Sequence, residues 1–126
     1  MQHLFFFDGN TKIIVWVIQT NKSIVEQNRE HAEIYLDKVT ILQSKFIALH
    51  VGLFWGIGRF IIKNEDRITI KTTDKIIFDN LSSNEESSDE FIKNKIFFIK
   101  QLIEQRKLKI KYEFIDVAEN LSSKLL

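Results

Sequence analysis

Hydrophobic and polar positions repeat with two different periods along this chain, and the switches between them divide it into elements. Residues 2–7 form a short, aromatic-rich and nearly unbroken apolar run closed by Asp8-Gly9-Asn10, which predicts a strand buried on both faces and ended by a turn. Residues 12–19 (KIIVWVIQ) read as a second strand. Thr20-Asn21-Lys22 is short enough to fold it back antiparallel onto a third strand that begins near Ser23. The far end of that third strand is left open by the pattern. Between Asn28 and Lys38 the strand period is lost, and residues 30–35 fit either a strand extension or a helical turn.

From about Leu42 to Arg59 the period becomes helical. Phe46, Leu49, Leu53 and Ile57 fall on one stripe, with Phe54 and Ile61 beside it. Gly52 and Gly56 lie four apart on this helix, two places where another element can approach closely. Residues 67–72 (RITIKT) alternate strictly and predict a strand, and residues 75–81 predict a helix. The polar, acidic stretch 82–90 (SSNEESSDE) reads as a solvated loop. Apolar residues at spacings of three and four make 91–105 an amphipathic helix, and residues 108–115 (LKIKYEFI) alternate again as a fifth strand. The ten residues beyond Asp116 leave room for a turn and two helical turns at most. The order reads β-β-β-α-β-α-β-α. Three meandering strands followed by two that helices separate predict an α/β fold, with a mixed five-stranded sheet, three strands antiparallel and the last two parallel, under packed helices.

Composition narrows the chemistry. At 126 residues the chain is expected to form a single domain, residues 1–126. The absence of cysteine excludes a disulfide framework, a thiolate metal site and a cysteine nucleophile. Eighteen basic residues against seventeen acidic ones give a net charge of +1, so binding to nucleic acid would require a local patch. Residues 46–62 contain His50 and Arg59 within a run too short to span a bilayer, which predicts a buried core helix and no membrane partner. With no targeting signal in view, the expectation is a cytoplasmic protein. His3, His31 and His50 lack the spacing of a zinc pair, and the glycines do not sit at a strand-to-helix turn as a phosphate loop requires. Trp16 and Trp55 lie in apolar runs and are expected in the core.

Both the element order and four local sequences resemble the ribonuclease H family. Residues 4–9 (LFFFDG) are similar to its first strand, which ends in an aspartate-glycine pair. Residues 39–53 (VTILQSKFIALHVGL) resemble its central-helix motif, with Thr40, Phe46, Ala48, Leu49, Gly52 and Leu53 in register. Residues 73–81 (TDKIIFDNL) and 110–126 (IKYEFIDVAENLSSKLL) resemble the segment after its fourth strand and its last strand with the start of its final helix. The resemblance implies a ribonuclease H-like fold and a site where four carboxylates hold two Mg²⁺ ions that cleave RNA/DNA hybrids. In this register Asp8 matches the first carboxylate. The other three fall on Lys45, Thr73 and Lys124, and the paired asparagines before the helix fall on Ile41 and Leu42. The family's Gly-rich stretch between its first two strands is reduced here to Asn10-Thr11.

Two family acids replaced by cations lead us to expect an ion cluster of Asp8, Lys45 and Lys124 where relatives hold metal. The expected protein is a catalytically inactive pseudoenzyme with no cofactor, acting as a nucleic-acid-binding or scaffold module. The alternative is an Mg²⁺-dependent ribonuclease with a rearranged acidic site, in which a one-residue slip brings Asp74 to Asp8, with Glu33 a poorer third acid because it precedes the matched threonine. Lys107, Lys109 and Lys111 alternate along the fifth strand, with Arg106 and Lys100 nearby, and form the candidate stripe for RNA or an RNA/DNA hybrid. For a protein partner, the candidate face is a short C-terminal helix ending at Leu126.

Overall fold

A computed structural model describes all of residues 1–126. Five strands form one mixed sheet ordered β3-β2-β1-β4-β5. β1 (Gln2–Gly9), β2 (Ile13–Thr20) and β3 (Ser23–Glu30) make an antiparallel meander. β4 (Arg67–Thr72) and β5 (Lys109–Phe114) add to the other side of β1, each parallel to its neighbour. Local chemistry sets the turns. Asn10 Oδ1 accepts the amides of Lys12 and Ile13 at 2.9 and 2.8 Å, closing the β1–β2 connection as its side chain is suited to do. Asn21 takes the left-handed conformation that reversing the chain between β2 and β3 requires.

The central helix α1 (Ile41–Gly58) starts at a capping box. Thr40 Oγ1 accepts the Gln43 amide at 3.0 Å and the Thr40 amide donates to Gln43 Oε1 at 2.9 Å. Its buried stripe of Phe46, Leu49, Gly52, Leu53 and Gly56 packs on β1 and β2, and a flank meets α3 (Glu90–Gln105). By length and composition α1 could cross a membrane, but here it is the core helix between sheet and α3. Ile57 packs at the edge of the stripe, whereas Phe54 is 65% exposed. One residue turns a helix by about 100°, so Phe54 points away from the face that Leu53 buries.

Between β4 and β5 the chain forms two helices, α2 (Lys75–Ser82) and α3, in the two spans expected to be helical, 75–81 and 91–105, which the element order runs together as one. Asp89 caps α3 by accepting the amides of Phe91 and Ile92, and it also accepts from Gln43 Nε2 at 2.9 Å, which ties the starts of α1 and α3 together. The Gln43 hydrogen bond outweighs partial burial and holds the Asp89 carboxyl below its usual range. Residues 31–36, open in the sequence, turn back without extending β3, with the amides of Tyr35 and Leu36 both donating to the Ala32 carbonyl. The expected C-terminal helix is instead two 3₁₀ turns, Val117–Glu119 and Ser123–Leu125. Leu121 and Leu125 lie over Phe6, Val17 and Ile115, so the apolar surface considered for a partner is largely spent on the chain's own sheet, with Leu126 left 45% exposed.

At the outer seam of α1 and α3, His50 stacks on Phe98 with ring centroids 6.0 Å apart, and Lys95 Nζ donates to its Nδ1 at 3.3 Å. Burial, then the Lys95 charge, push the His50 imidazole below its usual value, and burial likewise lowers the Lys95 ammonium.

Two outcomes follow from this packing. A methyl at Gly52 would lie 2.6 Å from Phe5 Cζ and 2.9 Å from Trp16 Cγ, whereas one at Gly58 meets nothing within 4 Å. Gly52→Ala should therefore cost about 1–3 kcal/mol in urea unfolding, and Gly58→Ala should cost nothing or gain slightly. Because the unfolded chain protonates His50 before the folded one does, stability should decline as pH drops below about 6.5. His50→Phe, which keeps the ring against Phe98, should flatten that limb of the melting-temperature profile.

Candidate functional site

The C-terminal end of β1 comes against the first turns of α1, and the contact depends on a missing side chain. A Cβ on Gly9 would sit 2.4 Å from Ser44 Oγ and 3.1 Å from the Ser44 backbone. Ser44 is fully buried and its hydroxyl lies 2.8 Å from His31 Nε2. That nitrogen is also 3.0 Å from the Asn10 carbonyl, an acceptor only, so Nε2 carries the hydrogen. His31 thereby ties the turn after β1 to α1 and leaves Nδ1 without a partner.

This approach brings Asp8, 8% exposed, to Lys45. Asp8 Oδ1 accepts the Gly9 amide at 2.8 Å and stands 4.0 Å from Lys45 Nζ. Lys45 Nζ is also 3.7 Å from Asp74 Oδ2. Asp74 is the N-cap of α2, its Oδ1 accepting the Ile76 amide at 2.9 Å, which turns Oδ2 toward the lysine. One ammonium thus lies between two carboxylates, with side chains only 12–24% exposed. At an effective dielectric near 20, each such contact is worth roughly 4 kcal/mol of attraction before desolvation is charged against it.

The remaining expected members are placed differently. Lys124 is exposed and pairs with no acid; its neighbour Ser123 donates to Asp8 Oδ2 at 2.7 Å. The 3₁₀ closure of the chain end is the reason. Asn120, 5% exposed, donates from Nδ2 to the Phe7 carbonyl at 3.0 Å, and its Oδ1 accepts both the amide and the hydroxyl of Ser122, which leaves Ser123 facing Asp8. Thr73 follows β4 half-buried, and its side chain makes no hydrogen bond to the cluster. Glu33 is exposed in the turns after β3 and joins no ion pair. Asn120, Ser123 and the His31–Ser44 pair were not foreseen from the sequence. The one trace of them was the Glu119-Asn120 pair in the last matched segment.

The donor set does not fit the divalent ions that the sequence resemblance implies. Mg²⁺ demands six oxygens in near-octahedral order. No group of three or more histidine, aspartate or glutamate side chains gathers here, one Asp8 oxygen is engaged by Ser123, and an ammonium stands between the two carboxylates.

The basic stripe is also rearranged. Lys109 and Lys111 lie exposed on one face of β5, but Lys107 precedes the strand. Its left-handed φ of 54° closes α3, so the alternation seen in sequence is broken in space.

Removing the anchor of the chain end tests the architecture. Asn120→Ala should cost about 1–3 kcal/mol, because it strands the buried Phe7 carbonyl and Ser122 hydroxyl, and should make the last residues exchange amide hydrogens faster. An unchanged exchange pattern would show that Asn120 does not hold this segment.

No protein-family model matches the sequence, and no curated protein matches it. Solved structures do match in three dimensions. The chain superposes on RNase H1 from the halophilic archaeon Halobacterium salinarum NRC-1 with a TM-score of 0.81 at 16% identity, over 100% of this chain and 94% of that one. The N-terminal RNase H domain of rv2228c from Mycobacterium tuberculosis gives 0.74 at 15% identity, covering 94% of this chain and 85% of that one. LC11-RNase H1 in complex with an RNA/DNA hybrid gives 0.69 at 16% identity, covering 98% and 91%. At such identities what is shared is architecture. With three antiparallel strands, two parallel ones and three helices in the same arrangement, this chain has a ribonuclease H-like fold.

Proposed function

We propose that this domain binds nucleic acid, RNA or an RNA/DNA hybrid, without cleaving it. The observation that carries the reading is Lys45 Nζ standing 4.0 Å from Asp8 and 3.7 Å from Asp74. Two-metal phosphodiester cleavage needs cations that lower the pKa of a bound water and stabilise the leaving oxygen. A lysine ammonium held between two carboxylates coordinates no water and so cannot lower a bound water's pKa as a divalent metal does, and its charge is already engaged by those acids. The carboxylates also hold structure: Asp74 caps α2 and Asp8 receives the chain end. Nucleic acid as the partner is supported by the fold, which LC11-RNase H1 shares in its complex with an RNA/DNA hybrid.

A second reading, a rearranged Mg²⁺-dependent ribonuclease, is favoured by one observation. Asp74, one residue from the position the resemblance points to, faces the same lysine as Asp8. Displacement of Lys45 would leave two acids for a single ion. Glu33 has no part in it, lying exposed in the turns after β3.

The two readings separate in one assay. A labelled RNA/DNA hybrid incubated with the protein and Mg²⁺ or Mn²⁺ should stay intact while being bound in a salt-dependent manner. Metal-dependent cleavage that Asp8→Asn abolishes would establish the ribonuclease instead. Lys45→Glu should convert the site from one that ignores Mn²⁺ to one that binds it measurably by calorimetry.

A further inference from the structure

The face of the sheet turned away from α1 and α3 is covered at one end only, where Leu121 and Leu125 lie over Phe6 and Val17. At the other end the register sets out two open rows. Gln2, Arg67 and Lys109 are aligned across β1, β4 and β5, and beside them run Gln19, Leu4, Thr69 and Lys111. These rows line a cleft of about 540 Å³. Its charged side chains are Arg67, Lys109 and Lys111, all exposed, and none takes part in any ion pair. No carboxylate lines it. In the next row the pattern changes: Lys71 is paired with Glu113 at 3.2 Å.

Lysines on an edge strand are ordinarily explained as protection against edge-to-edge aggregation. That accounts for Lys109 and Lys111, since β5 is an edge, but not for Arg67. β4 is an interior strand, and Arg67 is aligned directly with Lys109. Neighbouring strands lie about 4.8 Å apart, so two unpaired cations face outward side by side, at a cost the fold carries without a compensating acid.

We propose that this cleft is a docking site for the sugar-phosphate backbone of a nucleic-acid strand. The proposal rests on the reading of the domain as a nucleic-acid binder and says where the strand is held. Lys109 and Lys111, two residues apart, are separated by about 6.6 Å along β5, a spacing that lets successive phosphates of an extended strand meet successive cations. Arg67 offers a planar fork of donors to phosphate oxygens, and Gln2, Gln19 and Thr69 add neutral donors for phosphate and sugar. No phenylalanine, tyrosine or tryptophan lines the cleft, and the His3 ring is buried and held by Thr20 and Asp66, so bases are not stacked and recognition is independent of sequence. On β1 the lining residue nearest the cluster is Leu4, four residues or about 13 Å before Asp8, which keeps the cleft apart from the carboxylate-lysine cluster.

The test is fluorescence anisotropy across a salt series with labelled single-stranded DNA, duplex DNA and RNA/DNA hybrid. The wild-type protein is compared with the triple variant Arg67→Gln, Lys109→Gln, Lys111→Gln, and with a control of equal charge loss, Lys38→Gln, Lys63→Gln, Lys93→Gln. All six positions are exposed, and circular dichroism melts should verify that every variant folds. The cleft variant should bind at least about tenfold more weakly. Its slope of log affinity against log salt should be shallower by about 2 on a single strand and about 2.7 on a duplex, the loss of three phosphate contacts, while the control keeps the wild-type slope. If the wild type binds and the cleft variant keeps the same slope, the cleft assignment fails and the nucleic-acid reading stands. If the wild type binds none of the probes, both fail. If polyglutamate competes as well as nucleic acid and loses binding in the same variant, the cleft is a surface for acidic protein and the proposal is overturned.

Discussion

Helix α1 and the sheet meet most closely at points where side chains are absent, and the rest of the molecule is arranged around that closeness. At Gly52 the rings of Phe5 and Trp16 press on the helix itself, and at Gly9 the end of β1 presses on Ser44. The first contact sets the height of α1 above the sheet and the second sets how far along β1 the helix starts. Together they bring Lys45, the residue after Ser44, to the carboxylate before Gly9. Core packing and the charged site are therefore one structure, and a change in the helix position would be felt in both.

Within the site, the carboxylates are met by the protein's own groups. Lys45 meets two carboxylates that also cap a helix and hold the chain end, so their negative charge is used in folding whatever else it does. The same economy governs Lys71, paired with Glu113, and Asp66, a buried acid. Burial alone would raise the Asp66 carboxyl, but hydrogen bonds from His3 and the Lys63 amide hold it below its usual range. Most lysines and arginines of the chain form no ion pair, and what sets Arg67, Lys109 and Lys111 apart is that they line one cleft on the open face with no carboxylate among them. A protein of net charge +1 has enough acids to neutralise them, and it places those acids elsewhere.

Much of the architecture was legible in the amino-acid order, because periodicity is a local property. The alternation of RITIKT, the aromatic run before Asp8-Gly9 and the helical stripe of Phe46, Leu49 and Leu53 each report which face meets the core, and strands and helices formed where they were expected. The resemblance of four short segments placed Asp8 and Lys45 at one site, since the register of β1 and α1 follows from matched positions on two rigid elements. Local reading was undecided or failed at the ends of elements. The stretch after Glu30, open between a strand extension and a helical turn, took the turn, whereas residues 117–125 closed as 3₁₀ turns and Lys107 left the stripe by taking a left-handed conformation.

Only the tertiary structure decided which groups complete the site. Ser123 reaches Asp8 across 115 positions of chain, and Asp74 turns to Lys45 because its other oxygen caps α2. Arg67 acquires its significance from the strand beside it, since the row it shares with Lys109 exists only once β4 and β5 pair. Secondary structure follows from which neighbours in sequence are apolar, and that the chain itself determined. The meeting of distant side chains follows from how closely packed elements can approach one another, which in this molecule was settled by glycines at the helix-sheet contact and by the way the chain end closes.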